Sequence, residues 1–461
     1  MNKSKYLLKN VGLLSISNFS SKILVFLLVP LYTSVLSTTE YGAYDLIISS
    51  ISLFYPILTL NIVDAVMRFS MDKTYSKDKV AIIGIKCVSF SVVAAVVILF
   101  VLSKLGVWQD LEIFIFLYYL SYAFNQFFIQ FAKGIEKVSD MAIAGVLGTL
   151  AMIIFNLLFL VVLRFGLVGF FIANILSQGL PAVYFFFRLR FWKYIKEWST
   201  DKNLRKEMFL YCVPLIVTTV GWWVNNTLDK YAVTLICGIA ANGILSVSYK
   251  IPQIINTIQE IFIQAWQISA IKEYGENGTE RFYGNIFSTV NMFMCAACAW
   301  LILLTRPLAY ILYSNDFYIA WRYVPLLLIN SVLNCSSGLL GPVLSAKKDT
   351  KSMMWSAIIG SGVNAFLNFL LIYLIGIQGA TIATVLSSVV IYVVRRIAVG
   401  QDIIIKDYYY ITWGLLIIQA IVEIWLRNIW MEVILMITML IVNWKLIFWI
   451  VKIGINKDKG Q

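Results

Sequence analysis

The sequence predicts an all-α integral membrane protein with about 14 transmembrane helices: two parallel six-helix repeats and two C-terminal helices, with both termini cytoplasmic. Three observations predict it. Of 461 residues, 60% are apolar and only 13% charged, whereas a soluble domain has about 45–50% and about 25%. Apolar runs of spanning length recur along the whole chain. The basic residues alternate sides in step with those runs.

In chain order the runs fall at 11–36, 43–67, 81–103, 113–132, 142–163, 168–187, 209–229, 244–270, 286–304, 324–344, 354–375, 379–399, 409–426 and 431–450. Each reaches the roughly 20 residues that cross a hydrocarbon core, and the longer ones allow tilt. Pro30, Pro56, Pro181, Pro214 and Pro252 lie inside runs and permit bends. With the N-terminus in the cytoplasm, 28 of the 37 Lys and Arg fall in cytoplasmic segments. Six fall outside: Lys104, Arg164, Lys230, Arg306, Arg322 and Arg427. That asymmetry fits an even number of spans, fourteen, or twelve if one hairpin is re-entrant. The formal net charge of +13 is thereby a matter of topology rather than of nucleic-acid binding.

The division expected is a six-helix lobe at 1–187, a basic cytoplasmic linker at 188–207, a second six-helix lobe at 208–400, and an added hairpin with cytoplasmic tail at 401–461. An internal repeat supports the two lobes. Gly166-Leu-Val-Gly-Phe-Phe-Ile-Ala-Asn-Ile-Leu-Ser177 and Gly376-Ile-Gln-Gly-Ala-Thr-Ile-Ala-Thr-Val-Leu-Ser387 share G-x-x-G-x-x-I-A-x-x-L-S at corresponding places. Such internal symmetry is the sequence mark of a secondary transporter.

Several chemistries are excluded. There is no His, which removes His-ligated metal, Ser-His-Asp hydrolysis and histidine proton relays. The six Cys lie in apolar stretches, and Cys295-x-x-Cys298 sits mid-span, where packing is the expected role. No phosphate-binding G-x-x-x-x-G-K-[ST] loop occurs. The loops are too short for a soluble catalytic domain. No catalytic residue, metal or cofactor is expected.

The candidate site residues are polar groups within spans, where they are costly and usually face a cavity or a partner helix. Ser15, Asn18 and Lys22 share a face in the first run; Asn61, Asp64 and Arg68 do so in the second, where Asp64 and Arg68 are spaced for an i,i+4 pair. The seventh run carries Thr218, Trp222, Asn225 and Asp229. In the eighth, Ser246, Lys250, Gln253, Thr257, Glu260, Gln264 and Gln267 fall at steps of four and three. This stripe spans about 31 Å at 1.5 Å per residue, the depth of the hydrocarbon core. It lines a wet path or bonds neighbouring helices.

Lys22, Arg68 and Lys250 are the candidate contacts for an anionic substrate, with Asn18, Asn61, Asn225 and Gln253 beside them. Asp64, Glu260 and Asp229 are candidates for a coupling ion or for charge pairing. Pairing of Lys22 with Asp64 or of Lys250 with Asp229, and snorkelling of Arg68, remain open. Glu423 and Lys445 are expected to be structural or snorkelling.

With these features in view, the chain resembles the bacterial polysaccharide-unit flippases of the multidrug/oligosaccharidyl-lipid/polysaccharide exporter superfamily. The resemblance rests on Leu36-Ser-Thr-Thr-Glu-Tyr-Gly-Ala-Tyr44, Val66-Met-Arg-Phe69, Leu228-Asp-Lys-Tyr231, Asn242-Gly-Ile-Leu-Ser-Val-Ser-Tyr-Lys-Ile-Pro252 and the two G-x-x-G repeats. It implies two six-helix lobes around a cavity that opens alternately to either side. It also implies transfer of undecaprenyl-pyrophosphate-linked oligosaccharide repeat units, of O-antigen or capsule type, from the cytoplasmic to the outer leaflet. The expected setting is the bacterial cytoplasmic membrane. The expected partners are that lipid-linked substrate, the bilayer, and a polysaccharide polymerase or other assembly proteins, with no nucleic acid and a monomeric state. On this chain Lys22, Arg68 and Lys250 are the matching cavity cations, though Asp64 beside Arg68 departs from a purely cationic cavity. The competing readings are a cation-coupled multidrug antiporter of the same superfamily, a membrane polymerase or transferase acting on lipid-linked sugars, and an assembly scaffold.

Overall fold

The computed structural model describes residues 24–106, 108, 110–195, 201–276, 278–405 and 408–444; the side chains of 222, 225, 268 and 408 lie outside that description. Every regular element among these residues is helical. Ten helices are long and apolar enough to cross a membrane, and an eleventh span is made if the bent pair Lys202–Gly221 and Asn226–Cys237 is one. The first and last expected runs extend into residues outside the description. The eighth is long enough but too polar to qualify by hydropathy, because it carries the stripe.

The chain divides into two compact units, Met1–Leu228 and Asp229–Gln461. The first contains α1 (Val29–Val35), α2 (Thr38–Leu58), α3 (Ile62–Met71), α4 (Lys77–Lys104), α5 (Glu112–Gly134), α6 (Val138–Asn156) and α7 (Gly166–Arg188). Helix α8 (Lys202–Cys237) begins in this unit. Its first half is tied there by Tyr75 donating to Glu207 at 2.8 Å and by the Lys79–Asp201 pair at 3.3 Å. Further along, Trp223 Nε1 donates to the Ser49 carbonyl at 2.8 Å. The core of the unit is aromatic: Phe127, Phe128 and Phe131 of α5 meet Phe191 edge to face, the arrangement aromatic quadrupoles favour.

The second unit contains α9 (Ile239–Ser248), α10 (Lys250–Lys272), α11 (Thr279–Leu303), α12 (Thr305–Leu312), a 3-10 segment (Asn315–Arg322) and α13 (Val324–Ala346). It continues with α14 (Thr350–Ile375), α15 (Ile377–Val399), α16 (Tyr408–Ile421), a π-helical turn (Val422–Leu426) and α17 (Ile429–Val442). Helix α13 is the hub: it is buried along most of its length and packs on α10, α11 and α15. Hydrogen bonds between side chains hold these helices in register. Ser336 donates to Asn291 Oδ1 at 2.5 Å and Ser388 to Asn330 Oδ1 at 2.6 Å, the kind of interhelical bond that substitutes for a hydrophobic drive in lipid. Cys298 packs into this core with its Sγ donating to the Leu328 carbonyl at 3.4 Å.

Two motifs of the sequence have local explanations. Leu36-Ser-Thr-Thr-Glu40 is a helix start: Ser37 Oγ accepts from the Glu40 amide at 3.2 Å while the Ser37 amide donates to Glu40 Oε2 at 2.8 Å. This reciprocal capping box satisfies two otherwise orphaned donors of α2. The G-x-x-G repeat is a helix–helix joint. Gly166 and Gly376 take φ of +54° and +64°, the left-handed region glycine enters without steric cost. Three residues on, a Cβ at Gly169 would lie 2.9 Å from Phe165 Cβ, and one at Gly379 only 2.2 Å from the Leu371 carbonyl. The first glycine turns the chain; the second lets α7 close on Phe159 in the π-helical segment Leu157–Val162 that follows α6, and α15 close on α14.

One element differs from expectation. The run 43–67 is not a continuous helix: α2 starts earlier, at Thr38, and ends at Leu58, and α3 restarts at Ile62. Leu60 and Asn61 both have positive φ, 52° and 51°. The Thr59 hydroxyl bonds back to the Tyr55 carbonyl at 2.7 Å, and the Asn61 amide reaches the Pro56 carbonyl at 2.8 Å. These bonds close α2 with a wide turn rather than a further helical step.

Candidate functional site

The break at Leu60–Asn61 sets the polar geometry of the first unit. Asn61 caps α3 in the left-handed conformation that Asn tolerates better than most residues. Its Nδ2 donates to Asp64 Oδ2 at 2.7 Å, and its carbonyl accepts a 3.5 Å contact from Cys212 Sγ of α8. Asp64 thus occupies the first turn of this ten-residue helix, where the helix dipole favours a negative charge.

Arg68 does not pair with Asp64. It stands in the last turn of α3, with its side chain 54% exposed, and reaches Asp72 at 3.6 Å. Asp64 is already engaged by Asn61, while Asp72 lies one turn further along on the exposed side. A partly exposed pair of this kind contributes little to stability.

In the second unit, Asp229 is buried, accepts the Tyr249 hydroxyl, and accepts the Lys230 amide at 2.9 Å. Tyr249 is the single residue between α9 and α10, and half-buried Lys250 opens α10 directly after it. The stripe has two characters. Ser246 and Thr257 are buried and bond within their own helices, to Asn242 Oδ1 at 3.4 Å and to the Gln253 carbonyl at 2.8 Å. Gln253, Glu260, Gln264 and Gln267 are exposed. A face carrying four such side chains is unsuited to hydrocarbon, where each would lose its hydration. A shallow cleft of about 450 Å³ lies beyond the stripe's last residue, lined by Tyr274, Glu276, Glu280, Tyr283 and Asp402 among others.

Asn61 is therefore brought to Asp64, and Asp229 to the residue preceding Lys250. Asn18 and Lys22 lie outside the described residues, as does Lys445, and so does the side chain of Asn225. Among the described residues no cluster of three or more His, Cys, Asp or Glu is arranged to hold a metal ion.

Residues 7–268 match the family model described as polysaccharide biosynthesis protein. The chain belongs to the polysaccharide biosynthesis protein family. No curated protein sequence matches it. Among solved structures, the chain is similar to the lipid II flippase MurJ in its inward closed conformation. The identity is 16% and the TM-score 0.66, over 94% of this chain and 99% of that one. It is also similar to an inward-facing multidrug resistance MATE family transporter of the MOP superfamily, at 15% identity and TM-score 0.65, over 82% and 94%. A MOP superfamily transporter from Pyrococcus furiosus follows at 15% identity and TM-score 0.57, over 85% and 95%. These likenesses show a multi-pass membrane protein with the helical fold shared by flippases and multidrug transporters.

One cluster in the second unit was not anticipated. Glu423, expected to be structural, is buried and receives Arg306, whose Nε lies 2.9 Å from Glu423 Oε1 and whose Nη2 donates to the Glu423 carbonyl at 2.8 Å. Glu432 is buried beside it, and Trp321 stands over Arg306. The only signal in the sequence was that Arg306, Arg322 and Arg427 all fall in segments expected to lie on the outer side.

Proposed function

We propose that this protein transfers undecaprenyl-pyrophosphate-linked oligosaccharide repeat units from the cytoplasmic to the outer leaflet of a bacterial cytoplasmic membrane by alternating access. Family membership directs the reading to polysaccharide assembly, and the exposed polar face of α10 carries it. Gln253, Glu260, Gln264 and Gln267 offer amide and carboxylate groups over most of the membrane's depth, suited to hydroxyl-rich sugars in transit. Lys22, Arg68 and Lys250 supply positive charge for the pyrophosphate, Arg68 by bidentate hydrogen bonds and the lysines as point charges. Asn18, Asn61 and Asn225 complete the substrate contacts. Asp64, Glu260 and Asp229 are assigned to ion coupling or to charge balance.

The similarity to a MATE family multidrug transporter, with nearly the TM-score of MurJ, supports cation-coupled drug export as the second reading. Liposomes containing purified wild type, Lys250→Ala or Lys22→Ala separate the two. Lipid-pyrophosphate-linked glycan should move between leaflets with wild type and at least about tenfold more slowly with Lys250→Ala, the loss expected from one charge-assisted contact. Movement of amphiphilic cations against a proton or sodium gradient, with no glycan transfer, would replace the flippase by the antiporter. Equal glycan transfer by all three proteins would move the binding site away from these lysines.

A further inference from the structure

Three guanidinium groups from three separate segments of the second unit gather on one indole ring. Arg306 stands at the start of α12, with its Cζ 4.8 Å from the ring centroid of Trp321. Arg427 follows the π-helical turn and lies at 5.7 Å; Arg322 ends the 3-10 segment and lies at 5.9 Å. Two centres held this way lie no more than about 12 Å apart. Trp321 itself is only 6% exposed. Cation–π attraction holds each guanidinium to the ring, but three like charges repel one another. The nearby carboxyl groups, Glu423 and Glu432, are both buried and adjacent to each other. Glu423 is taken by Arg306. Arg322 and Arg427 are exposed and make no ion pair within 4 Å among the described residues; Arg427 is near enough to Glu423 to feel its charge but does not contact it.

The surroundings define what is missing. Tyr310, Trp425 and Trp430, at the same end of the unit, are 81%, 68% and 76% exposed. Amphipathic rings left open in this way mark the headgroup level of a bilayer. That level is also where lipid phosphates lie. Arg427 is fixed there by a left-handed backbone, φ 55°, closed by its amide donating to the Val422 carbonyl at 2.7 Å. A planar fork matches a phosphate in a way that a hydrated sugar or a neutral headgroup does not.

We propose that Arg322 and Arg427, oriented by Trp321 and the Arg306–Glu423 pair, form a receptor for a phosphate group carried by a membrane lipid at the outer end of the second unit. The phosphate belongs either to a phospholipid headgroup or to a lipid-linked pyrophosphate. The outer placement follows from the distribution of basic residues. The site is separate from the residues assigned to translocation, and its test measures binding without transfer.

The test compares lipid retention by the purified full-length protein, read by native mass spectrometry. The probes are phosphatidylglycerol, undecaprenyl pyrophosphate and a neutral galactosyl diacylglycerol. Wild type should retain a phosphorylated lipid over the galactolipid, and R322Q/R427Q should lose that preference by about tenfold, as expected for charge-assisted bonds. Loss confined to phosphatidylglycerol identifies a headgroup site; loss confined to undecaprenyl pyrophosphate identifies a pyrophosphate site; either supports the receptor. K104Q/R164Q removes two outer charges from the first unit and should leave retention unchanged. An equal loss in K104Q/R164Q would reduce the effect to net charge and overturn the proposal. Unchanged retention in R322Q/R427Q would do the same. Should R322Q/R427Q not yield folded protein, R322Q alone carries the test, with about a threefold loss expected and no loss counting against the receptor.

Discussion

Asn61 and Asp64 are joined by a 2.7 Å hydrogen bond across the start of the short helix α3. The bond requires Asn61 in the left-handed region, which in turn requires that α2 end three residues earlier. Asn61→Leu should lose both the bond and the tolerance of positive φ, costing about 1–3 kcal/mol. Asn61→Gly keeps the backbone and loses only the bond, so it should melt closer to wild type. Thermal unfolding in detergent orders the three proteins; equal melting of Leu and Gly variants would show that backbone strain is not what Asn61 relieves.

The glycine joint makes a sharper prediction. A Cβ at Gly379 would sit 2.2 Å from both the carbon and oxygen of the Leu371 carbonyl, backbone that cannot swing aside. Gly379→Ala should therefore separate α14 from α15 and cost about 1–3 kcal/mol. Gly362, in the interior of α14, has nothing within 4 Å of its Cβ position. Gly362→Ala should be neutral or stabilising by up to about 1 kcal/mol. Melting curves of the two variants side by side test the close approach directly.

At the start of α2, Ser37→Ala removes the acceptor of the Glu40 amide and half of the capping box. A loss of about 1 kcal/mol is expected. Hydrogen exchange should quicken at the amides of residues 38–40 and leave α5 protected. Uniform deprotection of the unit would mean that the cap governs global rather than local stability.

Asp349 caps α14 through bonds from Ser352, its backbone amide at 3.0 Å and its hydroxyl at 2.6 Å. These bonds hold the carboxyl below its ordinary value of 3.8. A carboxylate with a lowered pKa stabilises the fold above its ordinary value and loses that contribution as the pH falls through the lowered one. Protection of the Ser352 amide should thus be constant from neutral pH to about 4 and decline below it. In Asp349→Asn the decline should vanish.

Glu423→Ala would leave Arg306 without its carboxylate partner at a site where its side chain is 31% exposed. The expected cost is about 1–3 kcal/mol, below that of a fully buried pair because water reaches the guanidinium. Glu423→Gln should recover part of it by accepting from Arg306. Thermal stability of the two variants distinguishes a charge pair from plain packing.

Much of this was legible because it is encoded locally. The G-x-x-G motif announced an internal repeat, and Gly166 and Gly376 both take positive φ while Gly169 and Gly379 admit close backbone. Ser37-x-x-Glu40 is the spacing of a capping box, and steps of four and three from Ser246 to Gln267 place a polar face on one helix. The break at Leu60–Asn61 was not legible, since Leu60 has no preference for positive φ and the turn is closed by bonds from Thr59 and Asn61. The partner of Arg68 was left open by the sequence. Spacing allowed Asp64 and Asp72 equally, and the helix start that commits Asp64 to Asn61 decided between them.

Hydropathy, charge alternation and repeat spacing are sums over neighbouring residues, so the sequence by itself determined the membrane-embedded helical class, the repeat and the polar face of α10. Which side chains meet was decided only by tertiary structure. Arg306, Trp321, Glu423 and Arg427 come from segments more than a hundred residues apart at their extremes, and no local pattern marks them as neighbours. Helices packing in lipid bring them together, and in that low-dielectric setting a contact between charges, once made, is worth far more than the spacing that permits it.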